Sequence, residues 1–227
     1  MLEISLALNY PYQHKPRLLV DVGAHVGGFA SHFVSAGWKA ICIEPEQNNW
    51  NELAAKYGTS PRVQLHKVAV GEKRDKVPFY TSSEHWGIHS MQPWHETHKQ
   101  SGLVDVTLLA YIVHEPVSLL RLNIEGSELP ALKGYNMKLW APEMALVEFY
   151  DSRTTKHFGY DHHDIVSYMQ HFGYIAWVSE WAEVEEYSRK GEKTIPHKHI
   201  GIGKYPLDHA PAWGNLIFVK DERWIPK

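Results

Sequence analysis

The chain has 227 residues, 44% hydrophobic and 22% charged, enough to bury a core without disulfides or structural metal. A formal net charge of −3 leaves no basic footprint, which argues against nucleic acid as the main partner. The single cysteine, Cys42, excludes an intrachain disulfide, and no apolar run is long enough to span a bilayer.

The opening residues, MLEISLALNYPYQHKP, have neither the basic n-region nor the apolar h-region of a signal peptide. A soluble, cytoplasmic protein without membrane contact is expected, with self-association left open. Leu18–Val22 then reads as a first buried strand, and Phe29, Ala30, Phe33 and Val34 share one helical face that ends near Gly37. Ala40 to Ile43 is a second strand. Pro45 suits the first turn of a helix carrying Trp50, Leu53, Ala54 and Tyr57 at i, i+3, i+4, i+7 spacing.

Val63 to Val70 reads as a third strand, with a short extra one at Val77 to Tyr80. Leu119 to Ile124 is a fourth, followed by Ser127 as helix cap and a stop at Gly134. Ala145 to Phe149 is a fifth, and Ile165, Tyr168, Met169 and Phe172 line a helix ending at Gly173. Tyr174 to Val178 and Leu216 to Val219 are candidates for a terminal antiparallel pair. Strands alternating with helices predict one α/β domain over 1–227, its sheet largely parallel. Two irregular insertions interrupt it, at about 81–102 and 180–213, and long irregular connections of this kind are commonly functional.

The strongest local signal is Val20-Asp21-Val22-Gly23-Ala24-His25-Val26-Gly27-Gly28, between a strand and a helix. Gly23 permits a sharp turn and close ligand approach, and Gly27 and Gly28 clear the helix start before Phe29. Asp21 can meet a cationic amino group. Glu44, at the tip of the second strand before Pro45, can accept both hydroxyls of an adenosyl ribose. Backbone groups around Ala69 could meet an adenine edge. A nicotinamide dinucleotide would need G-x-G-x-x-G around its pyrophosphate, but the second glycine position is His25, and Asp21 would repel the phosphates. The charge pattern points to S-adenosylmethionine.

These segments resemble the FkbM family of methyltransferases. Val20 to Gly27 matches V-D-V-G-A-N-x-G with His25 for Asn, and Glu44-Pro45 matches its acid-Pro step. Leu120 to Gly134 matches the more specific I-K-I-D-x-E-G-x-E-x-x-x-L-x-G, and Pro142 and Glu148 match the strand after it. The resemblance covers about Leu18 to Val178. It implies a Rossmann-like class I methyltransferase fold, with a mostly parallel seven-stranded sheet, an antiparallel C-terminal strand pair and helices on both faces. It also implies S-adenosylmethionine as donor and an oxygen acceptor on a sugar, polyketide or related metabolite. Two departures stand out: Asn123 replaces the family's Asp, and Thr107-Leu108-Leu109 replaces T-L-D; they leave a non-catalytic S-adenosylmethionine-binding relative as the alternative, ahead of a NAD-dependent oxidoreductase.

An alcohol acceptor loses a proton during in-line methyl transfer, and a positioned base can assist. Glu125 and His89 are the candidates, because Asn123 can position but cannot take a proton. Glu125 could equally serve the backbone amides around Gly126, and His89 could be a solvated loop histidine. Trp86, Ser90 and Glu148 are candidate acceptor contacts, the aromatic ring suiting the apolar face of a sugar. No metal site is assigned, since His95-Glu96-x-His98 is weak.

Overall fold

The computed structural model describes residues 2–85, 87–183, 187, 189 and 195–226. The chain runs through α1 (Leu2–Asn9), β1 (Leu18–Val22), α2 (Gly28–Ser35), β2 (Lys39–Ile43), α3 (Gln47–Tyr57) and β3 (Val63–His66). It then leaves the main sheet for β4 (Ala69–Val70), β5 (Asp75–Ser82) and β6 (His98–Thr107), followed by a 3-10 turn at Leu109–Tyr111. It returns as β7 (Leu119–Leu122), α4 (Glu128–Lys133), α5 (Met137–Trp140), β8 (Met144–Tyr150), α6 (Asp151–His157) and α7 (His162–His171). Finally come β9 (Ile175–Trp181), β10 (His199–Lys204) and β11 (Trp213–Val219). No helix among the described residues is long and apolar enough to cross a membrane.

The main sheet has the order β10-β9-β11-β8-β7-β1-β2-β3. The five strands from β8 to β3 are parallel, and β11, β9 and β10 close one side antiparallel. All five residues of β1 are buried, as expected of a parallel strand covered on both faces. Alternate residues feed two cores. Val20, Val22, Ile41 and Leu120 pack with Leu132, Ile165 and Met169 of α4 and α7. Leu19, Ala40 and Cys42 face the other way, onto Leu6, Ala30, Phe33 and Leu53 of α1, α2 and α3. Each fully buried side chain of this size contributes roughly 1.5–3 kcal/mol.

From β1 the chain steps outward to β2 and β3, then crosses back to β7 and β8. The strand order therefore reverses between β1 and β7, the place where open α/β sheets open a crevice at their carboxyl ends.

Several elements differ from the sequence reading. The sheet has eight strands rather than seven, because His199–Lys204, inside the stretch read as irregular, pairs with β9. Val63 to Val70 is not one strand: it breaks after His66, and Ala69–Val70 joins a second sheet of order β4-β6-β5. The short strand at 77–80 is one arm of a long antiparallel hairpin, and the other arm begins at His98, within the supposed loop. Pro45 precedes α3 rather than opening it; Glu46 is the cap, accepting from the Asn49 amide at 2.7 Å. Ser127 occupies the cap position of α4 without a capping hydrogen bond. α1 was not expected; its Glu3 accepts from Ser179 Oγ and Trp181 Nε1, both at 2.7 Å.

Candidate functional site

The register sets Val22 level with Ile43 on one side and Leu122 on the other. The next residues, Gly23, Glu44 and Asn123, therefore meet at one edge. The Gly23 and Ala24 amides both donate to Ile43 O at 3.0 Å. Gly23 has φ +78°, and a Cβ there would lie 1.9 Å from the Asn123 carbonyl oxygen, so only glycine fits this crossing. His25 follows with φ 52°. Its amide donates to Glu44 Oε2 at 2.9 Å, and the Glu46 amide donates to Oε1 at 2.9 Å. Glu44 is 5% exposed. Burial raises its carboxyl to about 7, against the pull of those two amides.

A cavity of about 410 Å³ opens here, within the roughly 300–1,000 Å³ of small-molecule sites. Gly23, Ala24, His25, Gly28 and Phe29 line one wall, and Glu44 and Pro45 the next, with Ala69 beyond them. Asn123, Glu125, Glu148, His89 and Ser90 line the far end. Trp86 lies outside the described residues.

Two glycine-turn residues face elsewhere. Gly27 packs under α3, where a Cβ would come within 2.6 Å of the Tyr57 ring. Asp21 is fully buried behind the wall, and the cation it meets is Arg121, whose Nη1 donates to Oδ1 at 2.8 Å and to Gly23 O at 3.2 Å. The ammonium expected at Asp21 is thus replaced by a guanidinium of the chain itself. Burial pushes the Asp21 carboxyl up and Arg121 pulls it down. Arg121 lines the cavity, with its charged end 4.6 Å from the centre of the Phe29 ring.

At the far end the backbone is strained: Glu125 has φ 57° and Gly126 φ 107°. A Cβ at Gly126 would come within 2.2 Å of the Phe158 ring. The carboxylate that holds this turn belongs to Glu128, not Glu125. Glu128 accepts from the Ile124 amide at 2.9 Å and from the Gly126 amide at 3.1 Å. Tyr160 donates to the same carboxylate at 3.0 Å. Ser90 Oγ donates to the Glu125 carbonyl at 2.9 Å, so its hydroxyl steadies the turn from the hairpin side.

Freed from the amides, the Glu125 side chain meets Arg153. Nη1 of Arg153 donates to Glu125 Oε2 at 2.5 Å, and Nη2 donates to Glu148 Oε2 at 2.9 Å. The guanidinium carbon sits 5.3 Å from the Trp94 ring centre and 5.5 Å from that of Tyr150. Burial raises the Glu125 carboxyl well above the usual range, Arg153 opposes it, and Glu148 and Glu128 add to the rise. His89 accepts from the Ser82 amide through Nδ1 at 3.3 Å, which places its proton on Nε2. No group of three His, Cys, Asp or Glu among the described residues could hold a metal ion.

Sequence reasoning missed Arg121, Arg153 and Tyr160 as site residues. Arg121 sits inside the quoted motif, at its Lys position. Arg153 and Tyr160 lie on and just after a short helix with no signature, and only the fold brings Arg153 to the cavity and Tyr160 to the Glu128 carboxylate behind it.

The family model for the methyltransferase FkbM domain matches residues 21–176. Among solved structures, methyltransferase FkbM from Methylobacillus flagellatus superposes with a TM-score of 0.57 at 19% identity, over 94% of this chain. The chain spans about half of that protein, 47% of its length. An rRNA methylase from Streptococcus thermophilus superposes with a TM-score of 0.50 at 10% identity, over 96% of this chain and 93% of its own, a likeness of fold alone. No curated protein matches the chain. With the family model spanning most of its length, and the glycine turn, Glu44 and the Glu125 turn at one sheet edge, the chain belongs to the FkbM methyltransferases.

Proposed function

We propose that the chain transfers a methyl group from S-adenosylmethionine to a hydroxyl of a sugar or other small metabolite. The observation that carries this reading is the continuity of the cavity, which joins the Gly23 turn and Glu44 to Asn123, Glu125 and Glu148. The residues present fit the donor. Glu44 keeps a lone pair on each oxygen after its backbone bonds and suits two ribose hydroxyls. Gly28 opens α2 with nothing within 4 Å of a built Cβ. Arg121 suits the methionyl carboxylate, and Pro45 and Ala69 offer apolar faces to adenine. When bound, the donor supplies an activated methyl on a sulfonium.

The chain's own residues then orient the acceptor and take its proton. Asn123 lies between the donor turn and the acceptor wall and can position a hydroxyl by hydrogen bonding. Glu125 is the base in this reading, its basicity raised by burial. His89 suits that role less, because a ring whose Nδ1 accepts from Ser82 presents a protonated Nε2. Glu148 and Tyr150 line the same end and suit acceptor contacts.

Tritiated donor incubated with a library of hydroxylated metabolites tests the reading. The expected result is label in a methyl ether, lost in Glu125→Gln and largely retained in His89→Ala. Donor binding without transfer to any library member would contradict it.

A further inference from the structure

Among the described residues, carboxyl groups outnumber guanidiniums around the cavity. Asp21, Glu44, Glu125, Glu128 and Glu148 stand in or directly behind its wall, against the guanidiniums of Arg121 and Arg153. Arg121 pairs with Asp21 and acts on Glu125 only from a distance, while Arg153 pairs directly with both Glu125 and Glu148. Glu125 and Glu148 are more than nine-tenths buried, line the cavity, and spend only Oε2 on Arg153. Their Oε1 atoms make no hydrogen bond within the described chain. Three histidines, His25, His89 and His197, also line the cavity; burial pushes His25 toward its neutral form, and His89 accepts from the Ser82 amide at Nδ1. Among the described residues, Tyr150 and Tyr187 complete the titratable lining, and burial raises the Tyr187 hydroxyl.

We propose that Glu125 and Glu148, sharing Arg153, form a cation-selecting end of the cavity that holds the sulfonium donor in preference to its neutral demethylated product. This rests on the donor reading above and extends it. A unit charge several ångströms from two buried carboxyls that share one guanidinium, at the effective dielectric of protein sites, changes affinity by about tenfold or more. Such a wall favours release of product once the positive charge has left with the methyl group.

The same carboxyl excess makes a second signature. Burial and the neighbouring carboxylates raise Glu125, and an arriving cation opposes that rise, so it displaces a proton. Glu44 loses its proton to either ligand, because both carry the ribose. The difference in proton release between the two ligands therefore reports on the acceptor end alone.

Calorimetry with S-adenosylmethionine and S-adenosylhomocysteine, in two buffers of different ionisation enthalpy, tests the proposal on the wild-type protein. The donor should bind about tenfold more tightly and release more protons than the product. In Glu148→Gln and Glu125→Gln the ratio should fall toward one, mainly through weaker donor binding. Equal affinities with equal proton release in the wild type would overturn the proposal, as would an unchanged ratio in folded variants. Failure of both ligands to bind would instead refute the donor reading. Should either variant fail to fold, the wild-type ratio and proton count decide the matter.

Discussion

At the residue scale, Glu44 and the Glu125 turn carry the most specific consequences. Glu44→Ala should weaken donor binding by about 1.5–3 kcal/mol, the worth of hydrogen bonds to a charged acceptor, as read by calorimetry. Its carboxyl is raised to about 7, so the ionised acceptor form is lost as pH falls through that value. Donor affinity should therefore be flat above about pH 8 and decline below about 7, and a profile flat down to pH 5 would remove Glu44 from the ribose. The sign for stability is opposite: a carboxyl raised in the fold favours the native state while protonated. That contribution is lost as pH rises from the unfolded value, near 4.5, through about 7. Glu128 and Tyr160 act on Glu125 through the backbone. Tyr160→Phe should lower turnover on the order of a hundredfold if the turn shifts by about an ångström, while leaving donor affinity nearly unchanged. Unaltered turnover would show that the turn holds without it. Gly23, Glu44 and the Glu125-Gly126 turn were legible because they lie in short motifs with local mechanisms. The division of labour between Glu125 and Glu128 was not, since either carboxylate could reach the amides until φ at Glu125 was known.

At the element scale, the β5–β6 hairpin is the part of the molecule that sequence periodicity described least well. Few residues of its strands are buried, so they lack the apolar alternation that reveals a half-buried strand. The connecting segment brings Ser90 to the Glu125 carbonyl and the Trp94 ring to Arg153, which makes the hairpin one wall of the far end of the cavity. Trp94→Ala should cost about 2 kcal/mol from the lost ring–guanidinium contact. That corresponds to a fall of roughly 4–8 °C in Tm, with raised acceptor KM and unchanged donor affinity. A Tm within a degree of wild type would mean that the ring does not hold Arg153. The buried strands β1, β2, β7 and β8 were legible for the opposite reason, as apolar runs bounded by turn residues. β10 was not: His199–Lys204 alternates His, Ile and Gly at a sheet edge and carries little apolar signal.

At the scale of the whole molecule, the reversal of strand order between β1 and β7 gathers residues distant in sequence into one cavity. The sequence showed alternating strands and helices, and the order of strands follows from the usual hand of their connections. What it could not show was the packing of α6, which carries Arg153 into the far end of the cavity. The central claim is that this cavity binds the sulfonium donor and not a dinucleotide. The geometry behind it is that His25 stands where close pyrophosphate approach needs glycine, while among the described residues carboxyl groups outnumber guanidiniums around the cavity. Calorimetric titration of the wild-type protein with S-adenosylmethionine and, in parallel, with NAD tests it most directly. One-site saturable binding of S-adenosylmethionine with no heat from NAD is the predicted result; saturable binding of NAD with none of S-adenosylmethionine would contradict it.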